Sequence, residues 1–240
     1  MWQKIFYKKI MKINDLFTEL LNLIYPNCCI VCGENLLGSE QFVCLKCINE
    51  IPKTNYHNQR GNAAEKRFWG KVDIFRATAF FHYQKGSAFQ PLIHSLKYRG
   101  QKEIGDVLGR FAAADLIENE DFASVDFIVP VPLHPNKLRK RGYNQSESIA
   151  RGLSVGLQKP IDTENLYRAI ENPTQTKKSV YERFENTAGI FALKNPQIFE
   201  NKHVLIVDDV MTTGSTIEAC IIAMKDVKNL KISIFTLAIA

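Results

Sequence analysis

From position 71 onward, short unbroken apolar runs alternate with stretches whose apolar residues recur every three or four positions. Ile74–Tyr83 reads as an opening strand, and Ile104, Val107, Leu108 and Phe111 share one face of a following helix. Phe127, Ile128 and Val129 form a short buried strand, after which Ile149, Leu153 and Leu157 mark a second helix. Val204–Val207 is wholly apolar, as a central strand covered on both faces must be. Ile217, Cys220, Ile221 and Met224 mark a third helix, with Cys220 as a plain core residue, and Ile232–Ile239 reads as a final strand. This alternation predicts an α/β domain over residues 71–240, with a mainly parallel sheet flanked by helices.

Residues 1–52 follow a different pattern. Phe17, Leu20, Leu21 and Ile24 recur as one helix face, predicting a docking helix in a cytoplasmic protein, with a membrane-surface helix as the alternative. Lys8, Lys9, Lys12, Asp15 and Glu19 interrupt any signal-peptide core, and Met11 offers a second possible start. No apolar stretch approaches the length of a membrane span. Residues 53–70 are polar, with Asn55, Asn58, Gln59, Arg60, Gly61 and Asn62, and are expected to be a linker or mobile loop.

Composition narrows this picture little. A hydrophobic content of 45% and a charged content of 23% are ordinary for a folded chain and argue against disorder. The formal net charge of +6 suits phosphate-bearing ligands or nucleic acid without choosing between them. Cysteine placement says more, because Cys28, Cys29, Cys32, Cys44 and Cys47 crowd together and Cys220 stands apart. Cys29-x2-Cys32 and Cys44-x2-Cys47 have the spacing of two knuckles sharing one tetrahedral Zn²⁺. Cys28 could replace Cys29, though its spacing to Cys32 is less usual. Four thiolates leave no position for water, so the metal is expected to be structural. Buried thiols or a redox pair are the plain alternatives.

The most informative stretch runs from Val204 to Thr216. A buried strand leads into Asp208 and Asp209, then Thr212, Thr213, Gly214, Ser215 and Thr216, then a helix. Ligands of parallel α/β sheets sit at the carboxyl ends of strands. Gly214 permits close backbone approach, and the N–H groups opening the helix attract an anion. Two carboxylates would repel a phosphate unless they serve sugar hydroxyls or a metal ion, so a phosphorylated sugar is the expected ligand. A strand end with two solvated acids and a helix cap is the bland reading. The stretch is no P-loop, since it lacks the Gly-Lys-Ser/Thr ending.

Three other segments bear on this site. Pro130, Pro132 and Pro135 stiffen a loop after the Phe127 strand, and Lys137, Arg139, Lys140 and Arg141 follow it without an acid among them. Such a loop could hold a pyrophosphate, or be no more than a solvated basic helix start. Arg141 is expected to face the pocket, while Lys137 and Arg139 are expected to be more exposed and suited to DNA. Arg168–Phe191 reads as a long loop with a short helix, either a lid or a surface connection. Lys97, Tyr98, Arg99 and Gly100 read as a helix end with two cations, structural by chemistry alone.

Asp208–Thr216 resembles the phosphoribosyl pyrophosphate (PRPP) motif of type I phosphoribosyltransferases. The paired knuckles, Lys97–Gly100, Val129–Pro132, Arg141–Gln145, and Thr174 and Gln175 with Arg183 and Asn186 extend that resemblance to the ComF family over roughly residues 16–240. The resemblance implies a type I phosphoribosyltransferase-like fold with a small N-terminal zinc-ribbon-like module. It places the ribose 2- and 3-hydroxyls on Asp208 and Asp209 and the 5-phosphate on Thr212–Thr216, with Pro132 and Arg141 as further ligand contacts. Thr212 stands where 6-oxopurine enzymes carry an aspartate, which argues against hypoxanthine or guanine as acceptor. The family is linked in several bacteria to natural competence and to handling incoming single-stranded DNA. Two functions follow: Mg²⁺-assisted transfer of ribose 5-phosphate from PRPP to an acceptor, or a PRPP-responsive adaptor for single-stranded DNA or a helicase. A regulator of nucleotide synthesis is a third. Few aromatics interleave the basic run, so no stacking platform is evident.

Overall fold

The computed structural model describes residues 27–98, 100–169 and 189–240. The expected docking helix at Phe17–Ile24 lies outside these residues, as do Arg99, Thr174, Gln175, Arg183 and Asn186. The chain divides into two compact units, Met1–Ile51 and Pro52–Ala240.

In the smaller unit the chain turns tightly after Cys29. Gly33 donates its N–H to the Cys29 carbonyl at 2.9 Å and adopts φ +78°, a left-handed conformation glycine takes without strain. Ile30 N–H donates to Phe42 O at 2.8 Å, which draws the second cysteine pair toward the first. Helix α1 (Leu45–Glu50) starts after Cys44 and carries Cys47 and Ile48 on its buried side.

The larger unit is built on a four-stranded parallel sheet in the order β1-β6-β5-β2. Its strands are β1 (Arg76–His82), β2 (Phe127–Pro130), β5 (His203–Met211) and β6 (Lys231–Ile239). The apolar runs read from the sequence supply these strands, and Val204–Val207 are fully buried in an interior strand. Two helices, α4 (Glu103–Leu116) and α7 (Gln145–Leu157), cross closely enough that a Cβ on Gly152 would fall 2.1 Å from the Asp106 carbonyl oxygen. Further helices are α2 (Ala63–Lys66), α3 (Gln90–Tyr98), α5 (Glu120–Ala123), α6 (Pro135–Arg141) and α8 (Ser215–Ile222). Because every strand of the sheet is parallel, their carboxyl ends share one edge, where loops can converge on a ligand.

One expectation differs from what is observed. The polar stretch 53–70 belongs to the larger unit and is not a loose linker, for Ala64 and Phe68 are fully buried in its core. The reason is Arg76, itself buried: its guanidinium donates to Glu65 Oε1 at 2.8 Å and to the His57 and Gln59 carbonyls at 3.0 and 3.1 Å. Glu65 and two backbone carbonyls of that stretch therefore pair with a buried cation, which fixes the stretch against β1. Of the two readings of the basic run at Lys137–Arg141, the helical one is observed; Pro135 occupies the first turn, and Arg139, Lys140 and Arg141 the last, where the helix dipole favours them. The two ends of the stretch read as a lid or surface connection are joined by an antiparallel pair, β3 (Leu166–Arg168) with β4 (Phe191–Leu193). The segment between lies largely outside the described residues.

Candidate ligand-binding site

Strand β5 keeps its extended pairing through the two acids, with Asp208 opposite Thr236 of β6. Its upstream half is buried and its end only partly so, which brings a carboxylate pair from the core to the sheet edge. Ser146, in the first turn of α7, donates its hydroxyl to Asp208 Oδ1 at 2.9 Å, and the Asp209 N–H donates to the same oxygen at 2.8 Å. Burial pushes the Asp208 carboxyl up to about 7, and the neighbouring Asp209 charge adds to the rise; these two hydrogen bonds and Lys97 oppose it. Asp209 forms an ion pair with Lys97 of α3, Nζ to Oδ2 3.1 Å.

Beyond β5 the chain passes Thr212 and Thr213 and turns at Gly214, which caps α8 with φ +82°. The first-turn N–H groups of α8 have no acceptor within the helix. Thr212, Thr213, Ser215 and Thr216 are exposed and Gly214 is buried. The Thr213 and Ser215 hydroxyls lie 2.9 Å apart.

The turn Gly142–Gln145 organises the opposite wall. Gly142 closes α6 with φ +80°. The Tyr143 hydroxyl donates to the Leu96 carbonyl and so ties down the end of α3. Asn144 caps α7 through the Ser146 N–H at 3.1 Å and donates to the Val131 carbonyl at 3.0 Å, fixing the proline loop. Arg141 donates to Gln145 Oε1 at 2.7 Å and lies 5.6 Å from the centre of the Tyr98 ring.

These parts enclose a cavity of about 680 Å³. Asp208, Asp209, Thr212, Thr216, Pro132 and Arg141 line it together; Thr213, Gly214 and Ser215 stand in the same loop but outside its lining. Lys137 and Arg139 are exposed and Arg141 less so, as expected; Lys137 nevertheless lines the cavity beside Arg141, whereas Arg139 and Lys140 do not. Sequence reasoning missed Lys97, Ser146 and Arg168, which also line it. The segment ending at Gly100 carries the signal for Lys97, two cations at a helix end, but by chemistry alone that pattern reads as structural. Asp208 and Asp209 thus share one cavity with four basic side chains, Lys97, Lys137, Arg141 and Arg168, of which Lys97 is paired with Asp209. That mixture suits a ligand carrying both hydroxyls and a multiply charged anion.

In the smaller unit, the sulfurs of Cys29, Cys32, Cys44 and Cys47 all lie within 4.8 Å of one another. The Cys32 and Cys44 sulfurs are 3.8 Å apart, close to the roughly 3.8 Å edge of a tetrahedron with Zn–S bonds of about 2.3 Å. The Cys44 N–H points at Cys29 Sγ, 3.4 Å away, an orientation that favours a thiolate. Donor type and spacing fit a zinc ion. Cys28 is exposed and outside the cluster, with its sulfur 3.7 Å from Asn35 Oδ1.

The Phosphoribosyl transferase domain family matches residues 100–239. The DNA utilization protein YhgH of Escherichia coli strain K12 is 30% identical over 79% of this chain and 80% of its own length. Competence protein F of Haemophilus influenzae is 29% identical over 79% of this chain and 86% of its own length. The chain belongs to the ComF family. The ComF fold is that of the type I phosphoribosyltransferases, with a parallel sheet flanked by helices and a cysteine cluster on the N-terminal side that can hold zinc. Among the described residues of this ComF chain, no helix is long and apolar enough to cross a membrane.

Proposed function

We propose that the chain binds PRPP together with Mg²⁺ in the cavity at the sheet edge, as a phosphoribosyltransferase-like protein serving DNA uptake from the cytoplasmic side. The observation that carries this reading is the lining of that cavity, which brings a carboxylate pair and residues of a phosphate-type loop together with basic side chains from three other elements. Asp208 and Asp209 accept hydrogen bonds from the ribose 2- and 3-hydroxyls. The Thr212–Thr216 loop and the first turn of α8 hold the 5-phosphate. Pro132 shapes the proline loop, and Arg141 with Lys137 and Arg168 faces the pyrophosphate. Magnesium, when bound with PRPP, offsets pyrophosphate charge beside the carboxylates.

Transfer of the ribose 5-phosphate would break the bond from the anomeric carbon to pyrophosphate and form one to an acceptor nucleophile. In that step the basic side chains stabilise charge growing on the leaving group. The same cavity also serves the adaptor reading, in which PRPP occupancy alters contacts with single-stranded DNA or a helicase partner. Arg139 and Lys140, exposed and outside the cavity lining, supply cations for that role. Release of pyrophosphate on incubation with candidate acceptors, measured beside salt-dependent single-strand binding, separates the two. Pyrophosphate release supports transfer; PRPP binding without turnover, but with a change in DNA affinity, supports the adaptor. The cysteine cluster is assigned one structural Zn²⁺ held by Cys29, Cys32, Cys44 and Cys47.

A further inference from the structure

Lys97 holds an unusual place in the cavity. It sits in the last turn of α3, with its side chain only 21% exposed, and its ammonium contacts a carboxylate that is 14% exposed. Among the described residues no other cation forms an ion pair with Asp208 or Asp209. The backbone beneath it is fixed, since Tyr143 bonds the Leu96 carbonyl and Arg141 lies across the ring of Tyr98. The ammonium is not fixed: it is a point charge with three donors on a flexible four-carbon stem, able to change partners without moving the helix. The alternative partners are anions brought by a ligand, because Lys137 and Arg141 line the same cavity and already mark a wall for negative charge.

We propose that Lys97 exchanges partners on ligand binding, releasing Asp209 to the ribose and transferring its charge to the pyrophosphate, so that the site selects PRPP over ribose 5-phosphate. The proposal rests on the PRPP reading above. A ribose hydroxyl can use the Asp209 oxygens fully only when the ammonium gives them up. Breaking a largely buried ion pair is costly unless each charge finds a new partner. PRPP supplies both partners, a hydroxyl for Asp209 and a pyrophosphate oxygen for Lys97. Ribose 5-phosphate supplies only the first and leaves the ammonium without an anion. Lys97 is therefore a specificity-determining residue as well as a counter-ion.

Calorimetric titration of the zinc-loaded full chain with PRPP and with ribose 5-phosphate, both with Mg²⁺, tests this. Wild type, Lys97→Met, Lys97→Gln and Lys97→Arg are compared, with melting curves to confirm folding. In Lys97→Met and Lys97→Gln, PRPP binding should weaken at least about tenfold, the scale of one lost charged hydrogen bond. Ribose 5-phosphate binding should hold or tighten, and Lys97→Arg should keep most of the wild-type preference. Equal weakening of both ligands would overturn the exchange and leave Lys97 as a tether between α3 and β5. Unchanged affinity for both would overturn it too. A wild-type protein that binds neither ligand would instead overturn the PRPP reading. Should one neutral variant fail to fold, the other and the arginine variant still report the ratio.

Discussion

Gly214 faces the ring of Phe68 with no room for a side chain between them: a Cβ on Gly214 would fall 3.1 Å from two ring carbons of Phe68. The phosphate-type loop therefore rests on a buried aromatic from the polar stretch that precedes β1. Gly214 also needs φ +82°, so two independent constraints meet at one residue.

Gly214→Ala should cost about 1–2 kcal/mol from the left-handed backbone alone, before the contact with Phe68 is counted. The melting temperature of the large unit should drop by several degrees, a shift of about 2–4 °C accompanying each kcal/mol in a domain of this size. Phosphate-ligand binding should weaken further, since the loop must move to admit the methyl group. Melting curves with and without PRPP check both; unchanged values would show that the loop tolerates the side chain.

How far the sequence reveals this site depends on how local each determinant is. Val204–Val207, Asp208, Asp209 and Gly214 are legible because a fully apolar run, a carboxylate pair and a small-residue turn adjoin one another. Lys97 is not, because its partner Asp209 lies in a distant strand and only the packing of α3 over the sheet edge brings them together. The stretch 53–70 misleads for a similar reason: Asn62, Glu65 and the carbonyls of His57 and Gln59 look solvated until Arg76 is placed among them. The helical reading of Pro135–Arg141 is favoured by Pro135 at its start and Gly142 at its end, the usual boundary residues.

Cys44→Ser should release the metal and unfold the smaller unit while the larger unit keeps its melting transition, because the two form separate compact bodies. Elemental analysis of protein purified without added metal should give one zinc per chain for the wild type and none for the variant. A metal-free wild type with the N-terminal unit fully folded would contradict the zinc assignment.

Asp208 should make apo stability and ligand affinity change in opposite directions with pH. Its carboxyl is raised from the usual 3.8 to about 7, so the folded protein keeps a proton that the unfolded chain has already lost. Its contribution to stability then declines as pH rises from 3.8 to about 7 and is level beyond. Binding gains over the same interval, because the carboxylate is the better acceptor for ribose hydroxyls. The difference in melting temperature between wild type and Asp208→Asn should fall from about pH 5 to about pH 7 while PRPP affinity of the wild type rises. A difference independent of pH would show that Asp208 ionises normally.

The central claim is that the carboxylate pair and the basic side chains of the cavity together bind PRPP with Mg²⁺, and a thermal-shift titration of wild type beside Asp208→Asn/Asp209→Asn tests it most directly. PRPP at about 100 times its dissociation constant should stabilise the wild type by roughly 2.7 kcal/mol. The account predicts this shift with Mg²⁺ present, little or none without it, and none in the double variant. Equal stabilisation of wild type and double variant would contradict the role given to Asp208 and Asp209, and no shift in either would contradict PRPP as the ligand.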